Sequence, residues 1–298
     1  IMLAEKENQN ITLTEIARFP HCAALDNAGH YRWDIDHLFG NIVEQIKKTI
    51  KNDKIESIGI CSWGVDYGVI GEDGKLIDMP YCYRDARGEN AFYKLHNEIS
   101  KEELYSISGI YPNPINTIYQ LYADKCDGRY ADKKVKIALV ADLLAYYLTG
   151  NIRAERSNAS TTGLLNITGD DWNYEMIDKL GLDSSVLPQI IFDGQAYGEF
   201  CNVPVVAVGT HDTASAIYAL EGLDSKTAFL ASGSWLLFGK VLDKPVCDKV
   251  AFENKYTNER INGGKVSLLD NINGLFVVQR VVAENDLNYK EIDEHIDR

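Results

Sequence analysis

An imidazole, a carboxylate and two hydroxyls follow one another in Gly209-Thr-His-Asp-Thr, between the apolar run Pro204 to Val208 and a stretch of small residues ending at Leu220. Such groups hold or take protons, so proton transfer at a bound hydroxyl is the chemistry they suit. The β-branched run, bounded by Pro and Gly, predicts a buried strand. Ala214, Ile217, Tyr218 and Ala219 fall at helical spacing. Asp212 therefore stands at the carboxyl end of a strand and the start of a helix, where open α/β sheets place their ligands. Thr210 or Asp212 also suits a helix cap, and caps far outnumber catalytic bases. From local pattern alone both readings stay open.

Other stretches carry weaker signals. Ser232-Gly233-Ser234, between strand-like runs, is either a plain turn or a nest of N–H groups of the kind that holds phosphate. Gly64, after Trp63, lets a ligand approach the backbone or supplies a positive φ. Arg84 and Arg87 flank Asp85 and read as a ligand clamp or a solvated ion pair. The hydroxyl-rich run Ser157 to Gly163 binds an anion or caps helices. No two of the six histidines have metal-ligand spacing, which argues against a histidine-held metal.

With 298 residues, 45% of them hydrophobic, the chain has room for two domains. A net charge of -14 without a basic cluster argues against nucleic acid as a partner. No apolar run reaches the roughly 18 residues of a membrane helix, and the first residues lack the pattern of a signal peptide, so no membrane partner and a cytoplasmic address are expected. The six cysteines (22, 61, 82, 126, 201 and 247) form no C-x-x-C pair and read as reduced, mostly buried thiols. Oligomeric state is not legible.

Several elements must position these groups. Ile11 to Phe19 reads as a strand, and the opening Ile-Met-Leu-Ala as the middle of a sheet. A helix capped by Asp34 follows, then a strand over Ile55 to Cys61 that turns through Ser62 to Gly68 into a third, with Glu72 to Lys75 as a hairpin turn before Leu76. Tyr81 to Asp132 reads as a polar decoration that shapes a cleft. Lys133 to Leu148 predicts an amphipathic helix ended by Gly150, and Trp172 to Leu180 another. After Leu220 strands are expected over Thr227 to Ala231 and Trp235 to Val241. A helix is expected over Asn271 to Val282 with Leu275, Val278 and Val282 buried. The restart sets the boundary between a first domain, 1–222, and the start of a second, 223–298.

Jointly these stretches are more specific than any alone. Ser62-Trp-Gly-Val-Asp, Pro80-Tyr-Cys-Tyr-Arg-Asp-Ala-Arg, Asn158-Ala-Ser-Thr-Thr, Gly209-Thr-His-Asp-Thr-Ala-Ser-Ala, Ala231-Ser-Gly-Ser-Trp and Asn271-Ile-Asn-Gly-Leu-Phe-Val-Val-Gln279 occur in the order and spacing of FGGY carbohydrate kinases, which the chain resembles along nearly its whole length. The resemblance implies an α/β, actin-like (ribonuclease H-like) fold of two domains facing a cleft, with sugar inside and ATP above it. It implies Asp212 as general base, with Gly64, His211, Thr213 and Asn271 on the sugar. Ser234, where a Thr is common in the family, would line the ATP phosphates, and Gln279 would touch the nucleotide. The implied reaction moves a phosphoryl group from ATP, with Mg2+, to O1 of L-rhamnulose. Another ketose such as L-fuculose, or sugar binding without catalysis, is the alternative. The family's opening Asp-x-Gly turn would lie before Ile1 and its Gly-rich adenosine segment beyond Arg298, so the chain reads as a fragment of such an enzyme.

Overall fold

The structure, a computed structural model, describes all residues except Gln9, Glu221, Ser225, Ser234 and 286–298. The chain opens on a ribbon, β1 (Met2–Glu7) and β2 (Asn10–Glu15), paired antiparallel, so the first residues have their partner in the next strand. A second small ribbon, β3 (Ala23–Leu25) with β4 (Tyr31–Trp33), leads to α1 (Ile35–Asn52), whose first turn is capped by Asp34 accepting from the His37 N–H.

β5 (Ile58–Gly59) does not form a hairpin with β6 (Tyr67–Gly71), contrary to the sequence pattern. It pairs in parallel with the later β11, while β6 pairs antiparallel with β7. Between them, α2 (Arg87–Leu95), α3 (Lys101–Ser108) and α4 (Thr117–Cys126) are no decoration. Phe92, Leu95, Leu104, Ile118 and Tyr119 are buried in the largest apolar cluster among the described residues. The stretch expected as one helix divides into β7 (Val135–Leu139) and α5 (Val140–Thr149). Val135, Ile137 and Leu139 alternate with period two, and only from Val140 does the helical period hold. Gly150, at φ 74, ends α5 as expected.

β8 (Ala154–Glu155), α6 (Arg156–Ser160), α7 (Tyr174–Lys179) and β9 (Ile190–Ile191) come next, then β10 (Ala196–Phe200) and β11 (Val203–Val206). The sheet in the order β10-β11-β5 packs against α1 and α5 through Ile35, Phe39, Leu143 and Val205. α8 (Asp212–Tyr218) then leads to a separate antiparallel sheet. Its strands are β12 (Ala228–Ser232), β13 (Trp235–Leu242), β14 (Thr257–Arg260) and β15 (Val266–Asn273), in the order β12-β13-β15-β14, with α9 (Lys249–Glu253) before β14. Ala214 and Ile217 of α8 pack on this sheet with Phe229, Leu237 and Leu269.

The last described helix, α10 (Leu275–Glu284), starts later than its pattern suggested, because Asn271 and Asn273 still pair with β13 and Gly274 intervenes. Leu275 is 48% exposed rather than buried, and Phe276 lies under the Arg84 guanidinium instead, 4.2 Å from its carbon. Four of the six free thiols, Cys22, Cys61, Cys126 and Cys201, are exposed, which corrects the expectation of buried ones. Among the described residues no helix is long and apolar enough to cross a membrane.

Candidate active site

β5 and β11 run side by side in parallel, so the chain leaves both at the same end of the sheet. The turns that follow, Ser62–Asp66 and Gly209–Thr213, are laced together. Ser62 N–H donates to Thr210 O and Asp212 N–H to Ser62 O, each at 2.9 Å.

In the first turn Val65 has φ 66, a left-handed conformation that a β-branched residue rarely adopts. Its carbonyl accepts from Thr117 Oγ1 at 2.7 Å and Gln120 Nε2 at 3.3 Å, which holds the strained peptide in place. Asp66 is fully buried beneath it. Asp66 Oδ2 accepts from Trp33 Nε1–H at 2.6 Å and Trp63 Nε1–H at 3.0 Å, and Oδ1 from Gln120 Nε2 at 3.1 Å. Burial pushes the carboxyl up to about 6, and these donors limit the rise. The Trp63 indole is thereby fixed as a wall of the site. Gly64 does not have a positive φ, so handedness is not why a glycine stands there. A Cβ would meet Thr161 Oγ1 at 2.9 Å and Asn158 Oδ1 at 3.3 Å, so the close approach of α6 and the residue after it requires the glycine.

The second turn rests on Glu155. Its buried Oε2 accepts from the N–H groups of Ser157 and Thr210 and the Thr210 hydroxyl, each at 3.0 Å, and from the Ser157 hydroxyl. Ser157 Oγ in turn accepts from His211 N–H at 3.2 Å. The N-cap position of α8 belongs to His211, without a side-chain cap bond, and Asp212 is the first helical residue. The cap reading of Asp212 is therefore replaced. Its side chain is 57% exposed, with Oδ1 accepting from Thr213 N–H at 2.6 Å and lying 3.6 Å from His211 Nε2. His211 is enclosed. Its Nδ1 lies 3.3 Å from Glu259 Oε2 on β14. Burial is the strongest influence on the ring and lowers its pKa, yet Glu259, then Asp212 and Glu155, outweigh it and leave the pKa raised.

These groups open into one cavity of about 690 Å³. Gly64, His211, Asp212, Thr213 and Asn271 all line it, as do Ser232 and Gly233 of the second sheet. Gln279 does not, being exposed on α10, and Ser234 lies outside the described residues. Tyr111, Asn113, Thr161, Glu259 and Asp270 also line the cavity and were not singled out from the sequence. For Thr161 the hydroxyl-rich run was a usable signal. Glu259 had none, because Thr-Asn-Glu-Arg reads as solvated. Among the described residues no three His, Cys, Asp or Glu side chains converge as a metal cluster.

With strand ends, paired turns and an open carboxylate in place, the class is defined by comparison. Residues 5–221 match the N-terminal domain of the FGGY family of carbohydrate kinases, and the chain belongs to that family. Rhamnulokinases from Lactiplantibacillus plantarum and Mannheimia succiniciproducens are each 37% identical to it, over 95% and 96% of the chain. The chain spans 60% of the length of each. The fold is the actin-like one of these kinases. A ligand-bound xylulose kinase from Lactobacillus acidophilus superposes with a TM-score of 0.76 at 18% identity, over 91% of this chain and 59% of that one.

Proposed function

We propose that this chain supplies the sugar site of an ATP-dependent kinase that phosphorylates L-rhamnulose at O1. The observation that carries the reading is the meeting of Gly64, His211, Asp212, Thr213 and Asn271 around one cavity into which the Asp212 carboxylate opens. The sugar lies against Gly64 and Asn271, with His211 and Thr213 on its hydroxyls. As the C1 oxygen attacks the γ-phosphorus, its proton passes to Asp212, the P–O bond to the β-phosphate breaks, and ADP leaves. Such a transfer asks mainly for positioning and charge neutralisation. Magnesium, when bound with ATP, would supply charge neutralisation on the transferred group. Ser234 in the turn after β12 would line those phosphates and Gln279 the nucleotide, with the boundary between sugar and nucleotide domains at 222/223. The two rhamnulokinase relatives support this ketose over L-fuculose. ATP supply makes the cytoplasm the fitting compartment.

ADP release by the full-length protein with each ketose tests the reading. L-Rhamnulose should be preferred, and Asp212→Asn should lower kcat by roughly 10²-fold or more while sugar and nucleotide still bind. A folded Asp212→Asn protein with near-parental turnover would remove Asp212 from the chemistry.

A further inference from the structure

The edge strand β14 is buried along its whole length and bolted to the first unit. Asn258 donates to Gly109 O from both N–H and Nδ2, each at 2.9 Å. Arg260 N–H donates to Ser160 Oγ at 2.8 Å, and Thr257 Oγ1 accepts from Tyr111 N–H at 3.3 Å. Glu259, held between these anchors, is only 12% exposed at its side chain and points its Oε2 at His211 Nδ1. Among the described residues that buried nitrogen has no aligned hydrogen-bond acceptor, and the 3.3 Å contact with Glu259 lies off the axis of a straight hydrogen bond. Asp212, beside Nε2, and Glu155, behind Thr210, are further charged groups that act on the ring.

We propose that Glu259 is a positioning residue for the transfer, holding His211 as an imidazolium whose Nδ1–H faces the second sheet and whose Nε2–H faces Asp212 and the bound ketose. A buried imidazole left alone sheds its proton, because burial disfavours the charged form. A neutral ring has one bare nitrogen, and at Nε2 that lone pair would rival Asp212 for the proton of the sugar hydroxyl. With both nitrogens protonated the ring can only donate, and Asp212 is left as the proton acceptor. The raised pKa of His211 agrees with this arrangement. The role in transfer rests on the kinase reading, whereas the hold on the proton does not.

Histidine-labelled full-length protein, with the His211 signals assigned by their loss in His211→Gln, tests it by NMR titration. The ring should be more than half protonated at pH 6.5, the ordinary midpoint. Glu259→Gln keeps an oxygen acceptor but removes the charge, and should lower the midpoint by roughly one pH unit or more. The basic limb of kcat/KM should move down with it, while turnover below the new midpoint returns close to the parent's. An unmoved midpoint overturns the proposal. So does a parent ring less than half protonated at pH 6.5, which decides the matter even where Glu259→Gln does not fold. If no ketose is phosphorylated yet the midpoint falls as expected, the kinase reading fails and the hold of Glu259 on His211 is supported.

Discussion

Asp66 and Glu155 are both buried carboxylates, one beneath each turn of the cavity, at 0% and 2% exposure. Asp66 is satisfied chiefly by side chains: two indoles and a carboxamide, each from a different place in the chain. Glu155 is satisfied by two backbone N–H groups as well as two hydroxyls. The difference follows what each turn presents. Ser62–Asp66 offers a glycine backbone and an indole wall, so its brace must fix side chains. Gly209–Thr213 offers an imidazole and a carboxylate, whose direction is set by the backbone that carries them, so its brace grips peptide groups.

If the contrast is correct, removing Glu155 does the most damage. Glu155→Ala leaves two buried N–H groups unpartnered and a void beside them, and should cost roughly 3–5 kcal/mol. Urea unfolding measures it, and a loss below about 1 kcal/mol would mean that the turn stands without its carboxylate. Gly64→Val comes next. The new side chain drives into Thr161, so overpacking of about 1–3 kcal/mol should accompany weaker sugar binding by calorimetry. Unchanged rhamnulose affinity in a folded variant would take Gly64 out of the sugar site.

Asp66 gives a smaller effect that depends on pH. Its folded pKa, about 6, lies above the ordinary 3.8. Its contribution to stability is therefore fully present below 3.8 and lost as pH rises through 6. From pH 7 to pH 5 this group alone should add roughly 1.4 kcal/mol, or a few degrees in Tm. Asp66→Asn should flatten the melting curve by that amount relative to the parent, and identical slopes would remove the burial argument. The smallest effect is expected at Asp212. Asn keeps an acceptor for the Thr213 N–H on an exposed side chain, so Asp212→Asn should shift stability by no more than about 0.5 kcal/mol.

Local chemistry was legible where one residue decides it: the Asp34 cap, the Gly150 terminus, the strand-to-helix change at Asp212. That Gly64, His211, Asp212, Thr213 and Asn271 meet at one cavity was legible through the joint order of their motifs. Two kinds of information were not. Where two periods adjoin without a breaker, as at Leu139–Val140, the apolar residues fit one helix as well as a strand and a helix. Pairings between distant segments left no local trace: β5 finds β11, and the polar Thr257–Arg260 is buried where Gly109, Tyr111 and α6 meet it. Glu259 was hidden for that reason.

The bolted edge strand also sets an order of assembly. Its anchors join residues 149 and 100 positions apart, Asn258 to Gly109 and Arg260 to Ser160. Contacts so distant in sequence must close long loops before they repay the entropy lost, and they form late. During synthesis at about 5–20 residues per second, the roughly 50 residues between Asp212 and Arg260 take roughly 2–10 s to appear. For that interval the nascent chain carries the Gly209–Thr213 turn with one wall of the pocket missing, and His211 waits, still facing water, for a partner not yet made.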